Sequence, residues 1–223
     1  MATISTDGPI WTLDLGTDEN RFSPDWLASV QAALDELEAS DDPAALVTIG
    51  SGKFFSNGLD LDWLMGHSDQ HQAYVDSVQA LFVRVLTLPV PTVAAVNGHA
   101  FGAGAMLAMA HDYRVMRSDR GFFCFPEVDI RIPFTPGMND LITAKLTPQT
   151  ALRSMTSGHR YGGAEAEGAG IVDTTTTLDD LHNTAAGIVR GLAGKDRTTL
   201  GAIKARLFED VVASLTGDTD GSK

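Results

Sequence analysis

The sequence predicts an α/β fold, laid out as one domain over residues 1–215 with a helical C-terminal part from about residue 138. Two short, continuously apolar runs, 44–49 and 92–96, read as strands buried on both faces. Each leads through a glycine-bearing turn toward a helical pattern. Beyond residue 137 helical spacing takes over, and alternating strands and helices followed by helices fit a single α/β unit. With 223 residues the chain is long enough to bury a sizeable core.

In chain order, Ile10-Trp11-Thr12-Leu13-Asp14-Leu15 alternates like an early strand. Ser23 and Pro24 supply an N-cap and a first helical residue, after which Trp26, Val30, Ala33 and Leu37 recur at helical spacing. The run 44–49 ends at Gly50-Ser51-Gly52, ahead of the first turn, Phe54 to Asp60. Residues 64–72 are polar and read as an irregular, mobile segment. Tyr74, Val78, Leu81, Phe82 and Val85 mark an amphipathic helix stopped near Pro89 and Pro91. The strand 92–96 enters the second turn, Val96 to Gly104, and Gly104–His111 should be helical. Strands are expected at 113–116 and 122–125. Helices are expected around 140–145, 149–157, 164–169, 178–192 and 200–215. Residues 216–223 lack apolar side chains and read as a disordered tail.

Composition narrows the function. At 43% hydrophobic and 20% charged residues the chain is an ordinary globule, and a net charge of −13 argues against nucleic-acid binding. An anionic ligand would need a local basic patch, for which Lys53, Lys204 and Arg206 are candidates. One cysteine, Cys124, excludes an internal disulfide and reads as a small buried hydrophobe between two phenylalanines. No stretch approaches the roughly 18 apolar residues of a membrane span. With no signal peptide in view, a cytoplasmic location is expected.

Familiar nucleotide and hydrolase loops fail. Gly102 and Gly104 begin a G-x-G whose next required glycine is Leu107, no G-K-S/T exists, and Ser56 lies outside any G-x-S-x-G. His67 and His71 have ligand-like spacing but no third partner, so they read as part of a solvated segment and no metal is expected. The two turns remain. A helix starting near Gly104 points its positive end toward Ala103, whose N–H would be free; the N–H of Leu59, just after Gly58, can supply a second donor. Such pairs can hold an oxyanion. The glycines could equally serve only to let helices pack closely on strands. Spacing alone leaves both readings open.

The turns Phe55-Ser56-Asn57-Gly58-Leu59-Asp60 and Val96-Asn97-Gly98-His99-Ala100-Phe101-Gly102-Ala103-Gly104 resemble the two signature turns of the crotonase (enoyl-CoA hydratase/isomerase) superfamily. Phe125-Pro126-Glu127-Val128 resembles its third landmark, and Ser157-Gly158, Ala164-Glu165-Ala166 and Gly170-Ile171-Val172-Asp173 its later ones. The match runs from about residue 10 to about 210, in the family's order. It implies a crotonase-like spiral of ββα turns, a homotrimer or dimer of trimers, and an acyl-CoA substrate whose coenzyme A is the only cofactor-like group. By position it implies oxyanion donors at the amides of Leu59 and Ala103. It places Lys53, Phe55, Ser56, Asn57, Gly58, Asp60 and Gly102 along the CoA path, and Phe101, Met106 and Pro136 at the acyl pocket.

One departure decides the chemistry. The family's hydratases carry a glutamate two residues after the second-turn glycine matching Gly104, and another at the position of Glu127; here the first is Met106, a thioether that neither takes nor gives a proton. Hydration calls for two acid/base groups, whereas moving a double bond from C3–C4 to C2–C3 needs one carboxylate that takes a proton at C2 and returns it at C4. Glu127 lies in an apolar stretch that should raise its pKa toward neutrality. These residues predict a Δ3,Δ2-enoyl-CoA isomerase of unsaturated fatty acid β-oxidation, and 110–131 resembles monofunctional isomerases more than hydratases. A hydratase or thioester hydrolase is the alternative within the family, Asp129 being expected to share Glu127's face of an extended strand. Outside it stands a catalytically weak acyl-CoA-binding protein.

Overall fold

The computed structural model describes residues 1–217. Its strands are β1 (Thr3–Asp7), β2 (Ile10–Asp14), β3 (Ala45–Ile49), β4 (Phe54–Ser56), β5 (Thr92–Val96), β6 (His99–Phe101), β7 (Tyr113–Arg117), β8 (Phe123–Cys124) and β9 (Thr174–Thr176). Its helices are α1 (Pro24–Ala39), α2 (Leu61–Gly66), α3 (His71–Thr87), α4 (Ala103–Ala110), α5 (Glu127–Ile130), α6 (Pro136–Lys145), α7 (Pro148–Ser157), α8 (Gly163–Gly168), α9 (Leu178–Arg190), α10 (Arg197–Leu207) and α11 (Glu209–Thr216).

The strands form a six-stranded sheet, β1-β2-β3-β5-β7-β9, and a three-stranded sheet, β4-β6-β8. All neighbours run parallel except β1 with β2. The chain places β3, β5 and β7 in the large sheet and follows each with β4, β6 or β8 in the small one, before a helix. That repeated step is the ββα spiral. Alternate residues of the large sheet enter different cores: Leu46, Ala94 and Val96 join the main cluster, while Val47, Val93 and Ala95 meet Leu181, Ala185 and Val189 of α9. Both faces are covered, which is why β3 and β5 read as unbroken apolar runs.

Local chemistry fixes the helix starts. Ser23 accepts from the Trp26 N–H with Pro24 in the first turn, and Thr135 and Thr147 cap α6 and α7 in the same way. Several expectations are corrected. Residues 64–72 are not irregular: Asp60 caps α2, a short 3₁₀ turn covers Ser68–Gln70, and α3 begins at His71. The expected helix 200–215 is two, α10 and α11, separated at Phe208 (φ −112°, ψ 20°). Within the expected tail, Thr216 ends α11 and Gly217 caps it, while 218–223 lie outside the described residues.

Candidate active site

The first turn is held from behind. Ser56 Oγ donates to the Asn20 carbonyl (2.7 Å) and accepts from the Gly58 N–H (3.1 Å), while Asn20 Nδ2 donates to the Phe55 carbonyl (3.0 Å). Gly58 has φ +81°, and a Cβ there would sit 2.7 Å from the Phe101 carbonyl and 3.0 Å from the Ala103 nitrogen. Only glycine lets the two turns touch this closely. Leu59 and Ala103 therefore lie side by side on the wall of one cavity of about 380 Å³. Ala103 is the first residue of α4, so its N–H has no partner within the helix. Neither this amide nor that of Leu59 finds an acceptor among the described residues.

Glu127 faces the same cavity. Pro126 precedes it as the N-cap of α5, and Glu127 is the first residue of that helix. Gly102, at φ +52°, is again the close approach: a Cβ there would lie 3.2 Å from Glu127 Oε1. Glu127 is 8% exposed, and its Oε2 is buried without a hydrogen-bond partner among the described residues. Burial pushes its pKa up to about 7. A carboxyl with one oxygen unpartnered and a pKa near neutrality, beside two unpaired amides in a mostly apolar cavity, can exchange protons with a neighbouring carbon acid.

The structure brings together Leu59, Ala103, Glu127, Asn57, Phe101 and Gly102, all lining this cavity. Pro136 lines an adjoining groove of about 720 Å³ that shares Glu127. Other expected residues stand elsewhere. Phe55 and Ser56 are fully buried, one in the core and the other as the tie described above, so neither side chain forms a ligand path. Asp60 spends its side chain capping the Trp63 N–H (3.2 Å). Lys53 lines a separate cavity with His99 and Arg120, its Nζ 5.3 Å from the Phe54 ring centre. Met106 is 1% exposed within the core and does not line the cavity. Asp129 does not share Glu127's face, because 127–130 is helical and residues two apart point to opposite sides. Its carboxylate sits against Gly158, where a Cβ would lie 2.3 Å from Oδ2.

The sequence reading missed Arg21 and Arg160, both on the cavity wall. Arg21 pairs with Glu19 and Asp62 (both 2.6 Å), bridging the first loop to α2. Arg160 lies over the Phe101 ring at 5.6 Å. Only the neighbouring Ser157-Gly158 landmark pointed there. Among the described residues no three His, Cys, Asp or Glu side chains gather as a metal site.

A two-sheet spiral, two touching glycine turns and a buried glutamate at the third landmark occur together in this chain. The family model for enoyl-CoA hydratase/isomerase matches residues 10–220, and the chain belongs to that family. It is 41% identical over 197 residues to enoyl-CoA delta isomerase 3 of Arabidopsis thaliana, covering 85% of this chain and 80% of that one. It is 39% identical over 183 residues to the peroxisomal enoyl-CoA delta isomerase 2 of the same plant, covering 78% and 76%. The fold overlays human mitochondrial delta3-delta2-enoyl-CoA isomerase with a TM-score of 0.90 at 22% identity, covering 97% of this chain and 86% of that one.

Proposed function

We propose that this chain is a Δ3,Δ2-enoyl-CoA isomerase that works through Glu127 alone. The observation that carries the reading is the buried carboxyl of Glu127, with Oε2 unpartnered among the described residues, sharing one cavity with the unpartnered amides of Leu59 and Ala103. The thioester carbonyl of a 3-enoyl-CoA accepts from both amides. Glu127 takes a proton from C2, and the C–H electron pair moves into the C1–C2 bond as the carbonyl oxygen becomes the oxyanion. The dienolate then takes the same proton at C4, leaving the double bond at C2–C3 and the glutamate ionised again. Each donor is worth roughly 3–4 kcal/mol if acyl-transfer sites are a guide. Met106 supports isomerisation over hydration, since no second acid stands where the hydratases carry one. The 39–41% identity to two delta isomerases supports the same choice.

The proposal includes CoA as part of the substrate, a role in β-oxidation of unsaturated fatty acids, and a cytoplasmic enzyme. Among the described residues no helix is long and apolar enough to cross a membrane. It also includes self-association as a trimer or dimer of trimers, supported by the exposed apolar side chains of Phe122, Val128 and Leu152. Two assays on one sample test the activity. A 3-enoyl-CoA should give the conjugated 2-enoyl thioester, and a 2-enoyl-CoA should keep its absorbance. Loss of the 2-enoyl absorbance without any 3-enoyl conversion would make the protein a hydratase instead.

A further inference from the structure

Sharing no residue with the cavity of Glu127, α10, the segment that joins it to α9, and Lys145 at the end of α6 line a groove of about 650 Å³. Its wall is α10, whose Leu200, Ile203 and Leu207 form one stripe at i, i+3 and i+7; Ile203 and Leu207 are 57% and 69% exposed. Lys145 stands at the groove, its Nζ donating to the His111 carbonyl (3.1 Å) and resting 4.4 Å from the Phe208 ring centre.

The charges here do not balance. Around Lys145 stand Lys204 and Arg114, with Asp112 and Asp173 opposing them. Lys204 takes Asp112 at 2.6 Å and Arg114 takes Asp173 at 3.7 Å, which leaves Lys145 with no carboxylate within 4.0 Å among the described residues. Burial and the two neighbouring cations push its pKa down to about 8. In a chain of net charge −13, this is a local cation without a counter-charge beside apolar walls. Sites of this size that are apolar with a few fixed polar groups take small amphiphilic molecules.

We propose that this groove is a second ligand site, for an aliphatic carboxylate, with the alkyl tail along Leu200, Ile203 and Leu207 and the carboxylate on Lys145. Lys195 and Asp196 also line the groove with opposite charges, so the net excess is one positive charge, which suits one carboxylate rather than a polyphosphate. The inference rests on no part of the reading of Glu127.

Calorimetric titration of the full chain at pH 7 with decanoate, decanol and acetate tests it. Decanoate should bind, acetate should not, and saturating acyl-CoA should not displace decanoate. Lys145→Met should weaken decanoate on the order of tenfold or more while leaving decanol unchanged. Ile203→Glu alters an exposed side chain, so folding should be kept; it should weaken both decanoate and decanol, and melting temperatures would verify the fold of each variant. Equal decanoate affinity in wild type and both variants, or displacement by acyl-CoA, would overturn the proposal. So would absence of binding because a second copy covers the groove, read as an oligomer that Ile203→Glu dissociates.

Discussion

Two buried polar regions of this protein are built in opposite ways. At the end of α4, His111 is fully buried, yet both ring nitrogens are engaged: Nδ1 with the Leu107 carbonyl and Nε2 with the Thr48 hydroxyl, each at 2.8 Å. Burial pushes its pKa down to about 3, so the ring is neutral; Nδ1 donates to the carbonyl and Nε2 accepts. Next to it Asp112 Oδ2 accepts from the Thr92 N–H (2.8 Å) and from Lys204 (2.6 Å), which also donates to the Val90 carbonyl (2.8 Å). That seam fastens α10 to the sheet. Glu127 is buried to a similar degree with one carboxyl oxygen unpartnered. Filled hydrogen-bonding capacity fits an architectural role at His111 and Asp112, and an oxygen left open beside the cavity is what the proposed base at Glu127 requires.

The largest effect that would break this contrast is on turnover. Glu127→Gln keeps size and polarity but cannot take the C2 proton, so 3-enoyl-CoA turnover should fall by about 10⁴-fold while acyl-CoA affinity persists. Asp129→Asn, facing Gly158 instead, should cost far less, and the reverse order would move the base. Next comes Ala103→Pro, which deletes one donor amide; steady-state assays should show a loss on the order of 10²–10³-fold.

Smaller effects fall on stability and separate the two regions by sign. The folded pKa of Glu127, about 7, lies above its ordinary 4.5, so the preference of the protonated carboxyl for the folded state is complete below 4.5 and lost as pH rises through 7. Denaturant titration should therefore find Glu127→Gln more stable than wild type by up to about 3 kcal/mol at pH 8, and nearly equal to it at pH 4. Lys204→Met should do the opposite, destabilising by about 1–3 kcal/mol because the partly buried Asp112 carboxylate loses its cation. Its turnover should stay close to wild type.

The sequence made the spiral legible wherever a strand is buried on both faces, as at 44–49 and 92–96. The polar edge strands β1, mostly exposed, and β9, half-buried, carry no such signal and were missed, as were the short β4 and β6, which the sequence places inside its two turns. Glu127 was legible as a carboxylate in apolar company, but its four-residue helix was not: Phe125 to Ile130 fits an extended strand equally well until Pro126 starts the turn. That one difference removes Asp129 from the site. Arg21 and Arg160 were invisible because their positions depend on loops far apart in sequence that meet only in the fold.

If burial poises Glu127 near neutrality as a base, the pH dependence of kcat/KM for a 3-enoyl-CoA reads it in the free enzyme. The profile should show an ascending limb with its midpoint at about 7, activity rising as the carboxyl ionises. A midpoint in the ordinary carboxylate range near 4.5, or a flat profile from pH 5 to 8, would contradict that role for Glu127.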